Sequence, residues 1–259
     1  MNLMVNNLLG INSQAKNRFL FMDLWRILAI VNMLIYQICY TIYILQGQDP
    51  SWLVNPWVQL WQKYIVASFI ILSGMALSLG KNNLVRAGRF IVLGIFISVL
   101  SYFFAPQQPH YYGILMFLGI AIAALTPVLW WFKKAPASCG LILSSIGYEL
   151  TRHLSNQVIM WQGKIIANLP DWLYGSWNAW LGMPPKDFIS INYVPVLPNI
   201  FLFLVGLYLL RFLQEHQAGQ KYLKISNNKS LAYLSSSSLL IYLLQQPLIF
   251  LVLEIKKFL

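Results

Sequence analysis

Asp23 and Arg26 stand three residues apart at the mouth of a long apolar run, and Gln37 lies eleven residues deeper in it. Residues three apart neighbour one another on a helix, so a carboxylate and a guanidinium meet there. Eleven residues is about three turns, which returns Gln37 almost to the same face about 16 Å further along. Thr41 follows one turn beyond. A polar stripe of this kind is costly in hydrocarbon and marks a site. The guanidinium suits a phosphate or a carbonyl oxygen, and the carboxylate beside it would orient it. The deep residue is an amide, which takes part in hydrogen bonds but exchanges no proton near neutral pH. Without chemistry, the same residues read as a snorkelling ion pair and an interhelical hydrogen bond.

Few other side chains offer reactivity. Gln245 and Gln246 lie in the last apolar run, and an unpaired amide there costs roughly 2–7 kcal/mol, so each needs a partner. Gln37 is a candidate partner for Gln245. His110, just ahead of the fourth run, titrates near neutral pH and is either a base or simply solvated. For His153 and His216 the sequence offers no ligand spacing that would mark a site. Cys39 and Cys139 fall inside apolar runs and read as small core residues; no metal-ligand spacing exists. Gly74 and Ser78, four apart, suit close helix packing, as do the serines at 235–238. A glycine-rich phosphate loop and a serine-nucleophile elbow are both missing from the sequence.

The elements that position these residues belong in a membrane. Of 259 residues 58% are hydrophobic and only 10% charged, with a mean hydropathy of +0.61. A soluble domain carries about 25% charged residues. The net charge of +11 falls in short blocks between apolar runs, which is the pattern of membrane topology and not of nucleic-acid binding. Spans of about 20 residues are expected at 24–46, 58–79, 90–105, 112–132, 196–213 and 231–253, with a weaker one at 137–153. Counting all of them, Lys16 and Arg18, Lys81, Arg86 and Arg89, Lys133 and Lys134, and Arg211, Lys221, Lys224 and Lys229 share one face. That face is cytoplasmic by the positive-inside rule. The expected fold is therefore an all-α bundle of about seven transmembrane helices with a cytoplasmic N-terminus. Residues 1–22 form a cytoplasmic segment without a signal-peptide pattern, and 23–259 form one membrane domain.

The outer face is rich in tryptophan: Trp52, Trp57 and Trp61, then Trp161, Trp172, Trp177 and Trp180. Indoles prefer the headgroup zone. Within 155–193, Val158, Ile159, Ile165, Ile166 and Leu169 recur at helical spacing, which suits an interfacial helix followed by a Trp-rich loop, with an ordinary outer surface loop as the alternative.

Five pieces of the chain, in order, together resemble the heparan-alpha-glucosaminide N-acetyltransferase catalytic-domain family of transmembrane acyltransferases. They are Arg18 with Asp23-Leu24-Trp25-Arg26-Ile27-Leu28-Ala29-Ile30; Phe69-Ile70-Ile71-Leu72-Ser73-Gly74; and Tyr112-Gly113-Ile114-Leu115. Tyr193-Val194-Pro195-Val196-Leu197-Pro198 with Gly206 follows, then Ser238-Leu239-Leu240-Ile241-Tyr242-Leu243-Leu244-Gln245-Gln246-Pro247. The resemblance implies a multi-pass protein, in a bacterial inner membrane, that moves an acetyl group from cytoplasmic acyl-CoA to an amine or hydroxyl of a sugar or lipid-linked acceptor. It implies cofactor-binding roles for Arg18, Asp23 and Arg26, and no tightly bound cofactor. Catalytic roles would fall to Asp23, Gln37, Asn192, Gln245 and His110.

The chain departs from the family pattern at four places. That pattern has histidine where this chain has Gln37, Met116 and Gln245, and aspartate where it has Asn192. Losing a general base typically costs a factor of about 10² to 10⁴ in rate. A silent homologue, acting as a binding or partner subunit or as a homo-oligomer, is the alternative expectation.

Overall fold

The computed structural model describes residues 19–45, 47, 49–104, 111–188, 190, 192–220, 222–223 and 229–245. It is mostly helical: α1 Leu20–Tyr40, α2 Pro56–Leu79, α3 Asn83–Phe104, α4 Ile114–Leu125, α5 Leu129–Lys134, α6 Ala137–Thr151, α7 Val196–Glu215, α8 Gln217–Gln220 and α9 Lys229–Ser236. Helix resumes over 238–245. Among the described residues four helices are long and apolar enough to cross a membrane: Leu20–Ile44, Pro56–Leu79, Asn83–Phe103 and Val196–Glu215. They match the spans expected at 24–46, 58–79, 90–105 and 196–213.

The remaining expected spans have a different shape. The run at 112–132 is broken at Pro127 into α4 and α5, because proline lacks an N–H and its ring clashes with the carbonyl four residues back. α6 holds only 15 residues, about 22 Å of helix. The last run is described only to Gln245.

The segment at 155–193 corrects the sequence reading. Val158–Trp161 and Lys164–Asn168 are two antiparallel strands, not an interfacial helix. The turn Gln162-Gly163 has φ of 48° and 80°, the doubly positive geometry of a tight hairpin turn that glycine accepts at no steric cost. Val158, Ile159, Ile165 and Ile166 are β-branched and suit strands. Their spacing fits a helix as well, and the turn decides between the two.

The chain divides into two compact units, one of residues 1–69 with 216–259 and the other of 70–215. In the first, α1 packs against α9. Met33, Tyr36, Val58 and Ile65 form a buried cluster, with Tyr40, Trp52, Trp61 and Tyr242 packed against it. Trp52 and Trp61 flank Tyr36 at centroid distances of 5.3 and 5.4 Å, and the Trp61 indole N–H donates to Asn32 Oδ1 at 3.1 Å. These two tryptophans are half-buried against that cluster, whereas Trp57 is 78% exposed.

In the second unit glycines set the helix contacts. α3 and α4 run antiparallel, Gly94 lying on Met116 and Gly119 on Ile91 and Ala87. α6 and α7 do likewise, Gly140 meeting Tyr208 and Gly147 meeting Phe201. α2 crosses α7 where Gly74 abuts the Phe203 carbonyl and Gly206 the Ile71 carbonyl. Cys139, expected in the core, is exposed, because α6 turns Gly140, Ser144 and Gly147 to α7 and leaves Ile142 and Leu143 outward. Arg211 donates to the carbonyls of Phe132 at 2.6 Å and Ala135 at 2.8 Å and to Glu215 at 2.9 Å, closing the end of α5 beside Lys133 and Lys134. The antiparallel pairs therefore gather Arg86, Arg89, Lys133, Lys134 and Arg211 at one end and Tyr111, Tyr112 and the hairpin at the other.

Candidate functional site

α1 begins after Phe19, with Asp23 in its first turn. There the helix dipole favours a negative charge. Met22, Asp23, Ala29, Ile30, Met33 and Tyr36 are its buried residues, recurring at intervals of three, four and seven as a single inward face requires. Asp23 is 3% exposed and Ser235 fully buried. The Ser235 hydroxyl donates to Asp23 Oδ1 at 2.7 Å, and Arg26 Nη1 donates to the same hydroxyl oxygen at 2.9 Å. One serine thus links carboxylate and guanidinium across 212 positions of sequence. Its proton must point at Asp23, which leaves its lone pairs for Arg26.

Ser235 corrects the reading of the serine tract as packing contacts alone. Its neighbour Ser237 returns its hydroxyl to the Tyr233 carbonyl at 3.0 Å, as an intrahelical serine does. Ser235 instead faces the first turn of α1, where a buried carboxylate must be hydrogen-bonded. The signal in the sequence was a run of four small polar residues in an apolar helix, and helix packing explains such a run equally well.

Deeper along α1, Gln37 is half-buried and its carbonyl accepts from the buried Thr41 hydroxyl at 2.9 Å. Five residues of π-helix, Thr41–Leu45, start at that point; such turns interrupt α-helices most often at functional sites. Gln245 lies on the helix that follows α9, three residues past the core residue Tyr242, and is 8% exposed. Its Oε1 is buried with no hydrogen-bond partner among the described residues, so the Gln37 amide does not hold it. Asn32, which the sequence reading passed over, is a third amide on α1 and is fixed by Trp61 and by donation to the Leu28 carbonyl at 2.9 Å.

The other candidates lie in the second unit. Asn192 is exposed with φ 57°, a left-handed conformation that asparagine adopts more readily than most residues. Val194 N–H donates to the Tyr112 carbonyl at 3.0 Å. The Ser190 hydroxyl accepts from Tyr111 N–H at 3.0 Å and donates to its carbonyl at 2.8 Å. The segments about Tyr112 and Tyr193 are therefore laced together. Tyr193 donates to the Ala179 carbonyl. Burial, and to a lesser degree Tyr112, push its phenol well above the ordinary tyrosine range, so it serves as a donor and not as a base. Met116 touches Gly94 of α3 and lines an apolar cavity. Arg18 and His110 lie outside the described residues.

Buried Asp23 and Ser235 with half-buried Arg26 form a charged mouth; further along come amides and tyrosines, with no histidine among the described residues of α1 or of the helix at 238–245. Such a site can hold an anionic or carbonyl-bearing ligand and can orient a polar one. A search of curated proteins and a search of solved structures each returned no significant match. The family model described as "Heparan-alpha-glucosaminide N-acetyltransferase, catalytic" matches residues 18–247. With all but the two ends of the chain inside that match, this integral membrane protein belongs to the heparan-alpha-glucosaminide N-acetyltransferase catalytic-domain family.

Proposed function

We propose that the chain is a membrane acyltransferase that draws an acetyl or similar acyl group from cytoplasmic acyl-CoA at the Asp23–Ser235–Arg26 site. It delivers the group to a hydroxyl or amine of a sugar or lipid-linked acceptor. The observation that carries this reading is the buried link from Arg26 through Ser235 to Asp23. A carboxylate is kept out of water only where its geometry is held and its hydrogen bonds are made. Arg26 binds the CoA pyrophosphate or the acyl carbonyl, Asp23 and Ser235 fix its direction, and Arg18 adds a second cation.

In the transfer step the acceptor oxygen or nitrogen attacks the thioester carbon. The carbon–sulfur bond breaks, and the leaving thiolate takes up the proton that the acceptor gives up. Gln37 and Gln245 orient the acceptor or donate N–H to the developing oxyanion. Asp23 carries the proton between acceptor and thiolate. The topology that goes with this reading has seven spans, α4–α5 and α6 among them, a cytoplasmic N-terminus, and a bacterial inner membrane as its setting.

A silent homologue is the second reading. It is favoured by one observation: Gln37, Met116, Asn192 and Gln245 offer no group that titrates near neutral pH. Detergent-purified protein incubated with acetyl-CoA labelled in the acetyl group separates the two. Label is expected on an acceptor from a panel of sugars and lipid-linked sugars. If it reaches none while an active family member labels the same panel, the enzyme reading fails and the partner-subunit reading stands.

A further inference from the structure

A cavity of about 370 Å³ opens in the second unit, walled by Ile95, Val99 and Phe103 of α3, Met116 of α4, and Tyr111 and Tyr112. It lies in the half of α3 away from Arg86 and Arg89. A space of that size falls in the range of ligand sites, roughly 300–1,000 Å³, and is many times the roughly 30 Å³ share of one water. Ser98 also lines it, but its hydroxyl donates back to the Gly94 carbonyl at 3.0 Å. Apart from Ser98, the α3 side offers only the Tyr102 hydroxyl, too few polar groups to anchor buried water, which needs 2 to 4 partners.

The cavity opens to a particular side. Ile95, Val99 and Phe103 are 49%, 48% and 71% exposed, and α3 is the least buried of the four long apolar helices. In a membrane that side meets lipid hydrocarbon. The opposite wall is Met116, a flexible and polarizable thioether that adapts to irregular apolar contacts. Where the family resemblance leads one to expect a histidine, this chain has made an apolar surface.

We propose that the α3–α4 cavity is a lipid site, and that its occupant is one acyl chain of a bilayer phospholipid entering from the exposed face of α3. A hydrocarbon chain supplies the dispersion contacts that an empty apolar space forfeits, and it is the one apolar ligand present in bulk at that face. The inference needs only the membrane setting and holds whether or not the chain transfers acyl groups.

The test places the protein in lipid nanodiscs of phosphatidylcholine doped with a phosphatidylcholine whose acyl chain carries a diazirine. Labelled residues are mapped after irradiation. Labelling at 95–103 and at Met116 is expected to saturate as the probe fraction rises, whereas labelling at Trp57, which is 78% exposed in the first unit, rises in proportion. Val99→Trp and Ile95→Trp, which fill the cavity, are expected to cut labelling of Met116 about tenfold, equivalent to about 1.4 kcal/mol. Labelling at 95–103 and 116 that climbs in proportion to the probe, as at Trp57, overturns the site. So does labelling of Met116 that is unchanged in both variants when they unfold cooperatively like the parent.

Discussion

Gln37→His combined with Gln245→His is expected to raise the rate of acetyl transfer from acetyl-CoA by about a hundredfold to ten-thousandfold, the usual contribution of a positioned general base. An amide oxygen accepts a hydrogen bond but does not take a proton at neutral pH; a neutral imidazole nitrogen does. The scaffold for such a base is already present. Gln245 is buried one turn past Tyr242, itself packed against the core of the first unit, and its Oε1 has no partner among the described residues. The Gln37 carbonyl meanwhile anchors Thr41 at the start of the π-turn. The measurement is the initial rate of label transfer by parent and double variant at matched folded concentration. A double variant that folds, binds acetyl-CoA and transfers no faster than the parent would remove the argument that missing bases limit this chain.

Gly206→Val is expected to cost about 3 kcal/mol or more, the upper end of the penalty for overfilling a packed interior. A Cβ on Gly206 lands on the Ile71 backbone carbonyl, and one on Gly74 lands on the Phe203 carbonyl. Neither neighbour is a side chain that can swing away, so the two helices must separate. Gly74→Val should cost a similar amount, and the double variant less than the sum, because both act on one helix crossing. Gly88 supplies the contrast: nothing lies within 4 Å of a Cβ there, so Gly88→Ala should stabilise α3 by up to about 1 kcal/mol. Thermal unfolding in detergent reads all four variants. A Gly206→Val protein that melts with the parent would mean that α2 and α7 do not cross at this point.

Hydropathy and length were enough to locate α1, α2, α3 and α7, because a helix in lipid must be apolar over its whole length. They could not see the break after α4. Pro127 stands in an apolar run whose hydropathy stays high, and only the backbone cost of proline ends the helix there. The hairpin at 158–168 was hidden for a related reason, since short apolar runs satisfy helical and strand periods alike. Asp23 and Arg26 were legible from their types and spacing. Ser235, which joins them, was not, because the pairing spans most of the chain and no local pattern encodes it. Gly74 and Gly206 stood in two separate family-like pieces, and the structure gives both one role, that of letting backbones touch.

Equilibrium binding of labelled acetyl-CoA to the purified parent protein, to Arg26→Gln and to Ser235→Ala tests the central claim most directly. Arg26→Gln keeps a donor for Ser235 and removes the charge; Ser235→Ala keeps the charge and removes the link. Both are expected to weaken binding by about 10- to 100-fold, the equivalent of the roughly 1.5–3 kcal/mol carried by a hydrogen bond to a charged group. Parent protein that binds no acetyl-CoA, or binding equally tight in both folded variants, would contradict the assignment of this mouth as the acyl-donor site.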